Sequence, residues 1–491
     1  MHGGSFAARV DPMTAATTVV LFGATGDLAR RKLLPGLLHL FESQLLDDLR
    51  VVGTSLDDIS QEDFLDLAKT SIREHSSHDV TEDDLRAFAQ RLDFVPGSVG
   101  PQGLRDAVAR AEEQLGADTN RLHYLSVPPK AALHVVRTLA DAHLVERSRI
   151  IMEKPFGTDL ASARTLNAHL HEVFDEEQIF RIDHFLGKEA AQNILAFRFA
   201  NGLFEPIWHR NNIDHIQIDV PETLGLTQRA DFYEGTGAYR DMVVTHLFQV
   251  LAFTAMEPPT ALEPRAISEE KNKVFRSMLP IEPSNTVRGQ YLGYRDEPGV
   301  AADSETETFV ALKCFVDNWR WAGVPFFLRT GKRMAEGSRI ISIAFKEPPR
   351  SMFPPGSGVG DHGPDHLTFD LADRSRMSLS FYGKRPGPGM KLDKLSMQFA
   401  MQETSWAGSV LEAYERLIYD AARGDRTLFT SAEGIERLWE LSTPLLEAPP
   451  LVRPYTAGTW GPNQVHQLVA PFAWRLPFER PWRDKTGDKK A

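Results

Sequence analysis

The sequence has little cysteine, no long apolar run and no surplus of positive charge, and each shortage excludes a class of protein. Cys314 is the one cysteine in 491 residues, so neither an internal disulfide nor a thiolate metal cluster can form. No apolar run is long enough to cross a bilayer. Lysine and arginine number 55 against 67 acidic residues, and this net charge of −12 argues against a nucleic-acid partner. We therefore predict a cytoplasmic protein with neither a membrane nor a nucleic acid as partner.

The pattern of apolar residues changes along the chain and predicts two large domains. Short β-rich runs separated by helical spacing continue to about Asp183, which is typical of a parallel α/β sheet. Beyond about Ala200 apolar residues alternate with a period of two, which indicates a mainly antiparallel sheet covered by helices. We therefore expect α/β plus α+β architecture. The predicted parts are a disordered leader (1–16), a doubly wound Rossmann-like dinucleotide-binding domain (17–185), a substrate and oligomerisation domain (186–482) and a mobile tail (483–491).

A glycine-rich turn follows the first predicted strand, Thr17–Phe22. Its two glycines stand where backbone must turn tightly and approach a pyrophosphate at a helix N-terminus, and Ala29 is small enough for close packing of helix against sheet. A plain strand-to-helix turn is the alternative interpretation. The candidate dinucleotide-binding residues in this turn are Gly23, Ala24, Thr25, Gly26, Asp27 and Leu28.

The residues after the second predicted strand bear on the choice of coenzyme. The 2′-phosphate of NADP usually meets an arginine, whereas the ribose hydroxyl of NAD suits an acid. The segment 53–58 supplies Asp57 and Asp58 and no cation. Ser55 and Asp57 are therefore candidate coenzyme contacts that favour NAD. The alternative is that the two aspartates cap the next helix.

Three basic residues lie where an anionic ligand would bind. Lys154 follows the predicted strand Arg149–Met152, at the carboxyl edge of the sheet where open α/β folds bind ligands. His184 and Lys188 precede a run with helical spacing, and a helix N-terminus with two cations suits a phosphate. From position alone, Lys154 is equally consistent with a surface lysine. For His184 and Lys188, position alone favours a packing residue and a solvated charge.

Several of these segments together resemble the glucose-6-phosphate 1-dehydrogenase family. Gly23–Ala29, Glu153–Gly157 and Arg181–Glu189 match in order and spacing, and the similarity extends over nearly the whole chain. The resemblance implies oxidation of D-glucose 6-phosphate to 6-phospho-D-glucono-1,5-lactone, the first step of the oxidative pentose phosphate pathway. It also implies hydride transfer to NADP or NAD without a metal, and a homodimer or homotetramer packed through the sheet of the second domain.

The resemblance also implies roles for single residues. His246 borders an apolar helical stripe and alone would be interpreted as a core histidine. The resemblance makes it the base that removes the C1 hydroxyl proton, with Asp183 hydrogen-bonded to its far nitrogen. Asp241 lies five residues before His246, about 140° around an ideal helix, so spacing does not place them on one face. The substrate contacts that it implies are Lys154 (also a coenzyme contact), His184, Lys188, Glu222, Asp241 and Lys332.

The chain departs from the pattern of this family at two positions. Leu56 stands where members specialised for NADP usually carry arginine, and Asp57 would repel a 2′-phosphate, so we expect NAD to work at least as well as NADP. Phe185 replaces the usual tyrosine, which removes one hydrogen bond to the substrate phosphate, worth ~1–3 kcal/mol. The alternatives are an NAD-preferring dehydrogenase of a related phosphosugar and a catalytically silent dinucleotide sensor.

Overall fold

The computed structural model describes residues 16–46, 48–116, 119–226, 230–361, 363–372, 376–400 and 411–475. The chain divides into two compact units. The first comprises Met1–Lys154, Asn167–Ile182 and Ser409–Phe429, and the second comprises Pro155–Leu166, Asp183–Gly408 and Thr430–Ala491. The domain boundaries given above stay predictions. The predicted tail (483–491) and the predicted leader (1–16), apart from residue 16, lie outside the described residues.

The strands follow one another in two groups along the chain. The first group is β1 (Thr17–Phe22), β2 (Leu49–Ser55), β3 (Leu92–Pro96), β4 (Asn120–Leu125), β5 (Ser148–Met152) and β6 (Ile179–Arg181). The second group is β7 (Ile213–Pro221), β8 (Thr286–Tyr291), β9 (Phe309–Phe315), β10 (Pro325–Gly331), β11 (Ile340–Phe345), β12 (His366–Asp370), β13 (Arg376–Lys384), β14 (Leu392–Ala400) and β15 (Val452–Tyr455).

The helices lie between and after these strands. They are α1 (Leu34–Glu42), α2 (Gln61–His75), α3 (Glu82–Ala89), α4 (Gly100–Leu115), α5 (Pro129–Asp141), α6 (Leu160–His171), α7 (Glu189–Phe199), α8 (Ala230–Ala238), α9 (Phe248–Ala255), α10 (Pro264–Ser277), α11 (Ala413–Arg423), α12 (Ala432–Glu447) and α13 (Gln464–Val469). Two π-helical segments, Ala29–Leu33 and Tyr239–Leu247, directly precede α1 and α9. Within the described residues, none of the helices combines the length and the apolar character that a membrane span requires.

The first unit contains a parallel sheet in the order β3-β2-β1-β4-β5-β6. Every residue of β1 is buried, which is expected of a central strand with both faces covered. The strand order reverses between β1 and β4, and open α/β sheets bind their ligands at the carboxyl edge beside such a reversal. This edge carries the turn after β1 and the segments that follow β2 and β5.

The second unit contains a mixed sheet in the order β14-β13-β12-β11-β7-β10-β9-β8-β15. Most neighbours are antiparallel, but β7 pairs with β10 in parallel, as does β8 with β15. The strand β7 is central and almost entirely buried. Because β7 and β10 run in the same direction, the residues that follow them leave the sheet side by side. The predicted fold class, α/β followed by α+β, is confirmed.

Candidate active site

The turn after β1 has the backbone geometry that its glycines suggest. Gly23 adopts φ +74°, and a Cβ there would lie 2.1 Å from the backbone oxygen of Ser126. The backbone N–H groups of Gly23 and Ala24 both donate to the oxygen of Thr54, at 2.8 and 3.1 Å. Only glycine fits at position 23, and helix begins within a few residues of it. These features match a dinucleotide loop at a helix N-terminus.

The segment after β2 brings an acid against this turn. The hydroxyl of Thr25 donates to Oδ2 of Asp57 at 2.5 Å, and the N–H of Asp57 donates to the hydroxyl of Ser55 at 3.2 Å. The side chain of Leu56 is 97% exposed. Asp27, in the turn itself, pairs with Arg31 at 2.8 Å. The candidate coenzyme residues that follow β1 and β2 therefore lie at one edge of the sheet, with the carboxylate of Asp57 against the turn.

Lys154 is half-buried and follows β5, at the same edge of the first sheet. The preceding residue, Glu153, accepts a hydrogen bond of 2.6 Å from the hydroxyl of Tyr124. Burial, together with this carboxylate, raises the pKa of Tyr124 well above its usual value, so the phenol stays protonated and remains a donor. This bond anchors the chain beside Lys154.

In the second unit, His246 and Asp183 form a buried pair. Nδ1 of His246 lies 2.6 Å from Oδ1 of Asp183, and the two residues are 1% and 2% exposed. The N–H of Phe185 donates to the same carboxylate oxygen at 2.9 Å. The ring of Phe185 also stacks on the imidazole, with centroids 4.5 Å apart at 23°. Hydrogen bonding and stacking together fix the orientation of the histidine ring.

The π-helical segment Tyr239–Leu247 changes the relation between Asp241 and His246. A π-helix is hydrogen-bonded from residue i to i+5, so residues five apart occupy adjacent turns. The angle of about 140° between Asp241 and His246, which holds for an ideal α-helix, therefore does not apply to this segment. Single π-helical turns occur often at functional sites, where they redirect side chains without ending a helix.

His184 lies next to this pair, and Lys188 follows His184 four residues later. The ring of His184 packs edge-on against His246 at 4.7 Å and against Phe185 at 5.1 Å. Lys188 is the residue that immediately precedes α7, so it stands at the N-terminus of a helix, as its spacing predicted. This end of the helix offers backbone N–H groups and a partial positive charge to an anion.

Glu222, Asp241 and Lys332 line one cavity of about 260 Å³. Glu222 and Lys332 directly follow β7 and β10, whose last residues are register partners, and this parallel pairing explains why they meet. The ammonium of Lys332 pairs with Oε2 of Glu222 and lies 5.5 Å from the ring centroid of Tyr233. Burial raises the pKa of Tyr233 well above its usual value, and the negative charge of Asp241 adds to that effect. The cavity is therefore lined by hydrogen-bonding groups suited to sugar hydroxyls.

Among the residues that the structure describes, two groups of side chains have the spacing of metal ligands. One is Asp183, His184 and His246, whose ligand atoms lie within 4.8 Å of one another. In this group the carboxylate and the imidazole of His246 already bond to each other. The other is His39, His78 and Glu415, where the two imidazoles stack face to face at 3.8 Å. Stacked rings direct their nitrogen lone pairs side by side rather than toward a common point.

The comparisons with known proteins agree with this geometry. Residues 20–193 match the family profile "Glucose-6-phosphate dehydrogenase, NAD binding domain", and residues 195–475 match "Glucose-6-phosphate dehydrogenase, C-terminal domain". The chain belongs to the glucose-6-phosphate dehydrogenase family. It is accordingly an oxidoreductase with a binding domain for a nicotinamide dinucleotide.

Individual members of the glucose-6-phosphate dehydrogenase family are similar over nearly their whole length. Glucose-6-phosphate 1-dehydrogenase of Rhizobium meliloti is 43% identical, with 92% of this chain and 95% of the relative covered. Glucose-6-phosphate 1-dehydrogenase 1 of Mycobacterium tuberculosis is 38% identical, with 94% and 97% covered. The crystal structure of the Mycobacterium avium enzyme gives a TM-score of 0.84 at 36% identity, covering 96% of this chain and 100% of that one. A glucose-6-phosphate dehydrogenase solved with its substrate glucose 6-phosphate gives 0.87 at 30% identity, covering 94% and 99%.

The structure also reveals residues near the site that the sequence did not single out. Arg339 lines the same cavity as Glu222 and Lys332. Lys271, 2% exposed in α10, interacts electrostatically with Asp183. Arg339 immediately precedes a strand and Lys271 interrupts the apolar face of a helix, and neither pattern distinguishes a site residue from an ordinary charge. The motifs that carry the family resemblance do not contain Arg339 or Lys271 either.

Proposed function

We propose that this chain oxidises β-D-glucose 6-phosphate at C1 to 6-phospho-D-glucono-1,5-lactone, with His246 as the base. The observation that supports this most is the buried bond of 2.6 Å between His246 and Asp183, next to the ring of a second histidine, His184. The family membership and the relatives named above support the substrate. The proposal includes a homodimer or homotetramer and a cytoplasmic location.

The hydrogen bond to Asp183 supports the proposed role of His246 as the base. A carboxylate only accepts, so Nδ1 of His246 carries the hydrogen and Nε2 keeps its lone pair. Nε2 takes the proton of the C1 hydroxyl while the C–H electron pair leaves C1 as hydride, so the carbonyl forms without a free alkoxide. Asp183 stabilises the imidazolium that results, because its negative charge is held at hydrogen-bonding distance in a buried place. When bound, the oxidised nicotinamide accepts the hydride.

The remaining predicted residues hold the substrate in this proposal. His184 and Lys188 bind the phosphate at the N-terminus of α7. Glu222, Asp241 and Lys332 hydrogen-bond sugar hydroxyls in their common cavity. Lys154 contacts both substrate and coenzyme. These groups keep C1 in one orientation, which converts binding energy into rate.

NAD is proposed to serve at least as well as NADP. The contact between Thr25 and Asp57 supports this, because it holds a carboxylate beside the dinucleotide loop. A ribose 2′-hydroxyl can donate to that carboxylate, whereas a 2′-phosphate would be repelled by it. The fully exposed Leu56 offers no compensating charge. Gly23, Ala24, Thr25, Gly26, Asp27 and Leu28 would line the pyrophosphate, and Ser55 would lie beside the ribose.

The test combines a substrate panel with one substitution. Formation of reduced coenzyme is followed by absorbance, with NAD or NADP and with glucose 6-phosphate, other phosphorylated sugars and free sugars. His246→Asn should lower kcat by about 10²- to 10⁴-fold while calorimetric binding of glucose 6-phosphate is retained. His466→Asn changes an exposed histidine of α13 and should leave turnover unchanged. Near-normal turnover by His246→Asn, or a preference for another sugar, would refute the proposal.

A further inference from the structure

Arg339 supplies a positive charge to the cavity that Glu222, Asp241 and Lys332 line. Two of those three residues are acids, and Lys332 already pairs with Glu222. With Lys332 as its only cation, the cavity would carry a net negative charge and repel an anionic sugar phosphate. The guanidinium of Arg339 offsets the charge of Asp241.

The guanidinium of Arg339 lies near Phe185, one of the two positions at which the chain departs from the family pattern. Cζ of Arg339 is 5.7 Å from the ring centroid of Phe185. The same ring contacts His184 at 5.1 Å and His246 at 4.5 Å between centroids. Within the part of the chain that the structure describes, Arg339 makes no ion pair with a carboxylate. Its charge is therefore available to a ligand bound beside His184.

We infer that Arg339 binds the phosphate of the sugar substrate and replaces the hydroxyl that Phe185 lacks. The inference rests on the proposed function, because it assumes a phosphorylated sugar next to His184 and His246. A planar guanidinium donates two parallel hydrogen bonds to phosphate oxygens, which an ammonium cannot reproduce. The face of the Phe185 ring attracts the cation and limits its orientation.

Arg339→Gln is the decisive variant. We expect KM for glucose 6-phosphate to rise about 10- to 100-fold, the range for losing a charge-assisted hydrogen bond, while kcat changes less than about threefold. The kcat/KM for unphosphorylated glucose should not change, because it has no phosphate to lose. Arg339→Lys should recover only part of the affinity. Adding Phe185→Tyr to Arg339→Gln should also recover part, since the hydroxyl returns.

Arg265→Gln is the matched control, because it removes the same charge from an exposed site on α10 and should leave KM unchanged. An unchanged KM in Arg339→Gln, or an equal loss with free glucose, overturns the inference. Failure of the proposed function looks different, because the wild-type chain would then not oxidise glucose 6-phosphate. In that case calorimetric titration of wild type and Arg339→Gln with glucose 6-phosphate decides the matter, and equal dissociation constants overturn the inference.

Discussion

At the scale of single residues, Leu56 and Asp57 govern the choice of coenzyme in our proposal. Leu56→Arg with Asp57→Ser adds a cation where the 2′-phosphate of NADP would lie and removes a carboxylate held by Thr25. We expect the ratio of kcat/KM for NADP to that for NAD to rise by about 10²-fold, because a charge-assisted hydrogen bond forms and a repulsion disappears. Steady-state kinetics with both coenzymes at saturating glucose 6-phosphate measures it.

Asp58→Ser serves as the control for this pair of changes, because it removes a neighbouring carboxylate for which no contact with the turn is observed among the described residues. Its coenzyme ratio should stay near that of the wild type. The idea would be wrong if wild type already favoured NADP strongly, or if the double variant kept the wild-type ratio.

Lys271 leads to a prediction about pH and stability. Burial lowers its pKa to about 8, although the negative charge of Asp183 acts in the opposite direction. In the unfolded chain a lysine titrates at about 10.4, so between these values the unfolded chain binds a proton that the folded chain does not. The free energy of unfolding contributed by this group therefore rises with pH across that window, and the cost of burying the charge is fully present below it.

Replacing Lys271 with methionine should remove this rise. The unfolding free energy of the variant, relative to wild type, should fall by an amount on the order of 3 kcal/mol between pH 8 and 10.4. Chemical denaturation at a series of pH values measures it. Lys273→Met on the same helix removes an exposed lysine paired with Glu270 and should show no such fall. Parallel curves for wild type and Lys271→Met would contradict the assignment.

Local sequence patterns predict residues that directly follow a strand. They do not predict contacts between residues that are far apart in the sequence. The sequence alone predicted the turn at Gly23 and the acid at Asp57, because each depends on one strand and the residue after it. The contact of His246 with Asp183 joins positions 63 residues apart, and only resemblance suggested it. Arg339 escaped prediction because its neighbour Phe185 lies far away in the chain.

At the scale of elements, local patterns predicted single strands, but they did not predict which strands are neighbours in the second sheet. Strand β1 was predicted to the residue because a parallel strand buried on both faces is an unbroken run of β-branched and apolar residues. The alternation in β7 predicted a strand but not its neighbours, β10 in parallel and β11 antiparallel. That order depends on long connections, on which local spacing has no influence. The π-helical segment at His246 was equally invisible, since its apolar stripe also fits an α-helix.

A buried ion pair joins β7 to β10. Asp219 and Arg329 are register partners, each 1% exposed, and Nε of the arginine donates to Oδ1 at 2.9 Å. The guanidinium also lies 4.4 Å from the ring of Trp474. Asp219→Asn leaves a positive charge buried without its counterion, which should cost about 3–5 kcal/mol of unfolding free energy. Denaturation by guanidinium chloride, with fluorescence as the probe, measures this cost.

A control variant and a second measurement complete the test of Asp219→Asn. Asp214→Asn, on the same strand, removes a partly exposed carboxylate beside His215 and should cost less than about 1 kcal/mol. Since Glu222 and Lys332 directly follow the two strands, Asp219→Asn should also raise KM for glucose 6-phosphate. If Asp219→Asn lowered the free energy of unfolding by less than Asp214→Asn does, the ion pair would not hold the two strands together.

At the scale of the whole molecule, one sheet face carries an apolar surface that a single chain leaves exposed. Three alternate residues of β14, Leu395, Met397 and Phe399, are 46–48% exposed. Each lies opposite a partly exposed apolar residue of β13. We call these six residues the β13–β14 patch: Met377, Leu379, Phe381, Leu395, Met397 and Phe399. A contiguous apolar patch at a sheet edge commonly marks a contact with another protein chain.

The family resemblance implies a homo-oligomer packed through the sheet of the second domain, and we propose that a second copy of this chain covers the β13–β14 patch. Met397→Lys puts a charge in the middle of the patch, and burying that charge against an apolar partner surface costs several kcal/mol. We expect wild type to sediment as a dimer or tetramer at micromolar concentration and Met397→Lys to sediment mainly as a monomer. Ser396→Lys places the same charge on the opposite face of β14 and should leave the assembly intact. A monomeric wild type, or a Met397→Lys variant that assembles like wild type, would exclude this face as the subunit interface, because an ammonium cannot be buried there without loss of affinity.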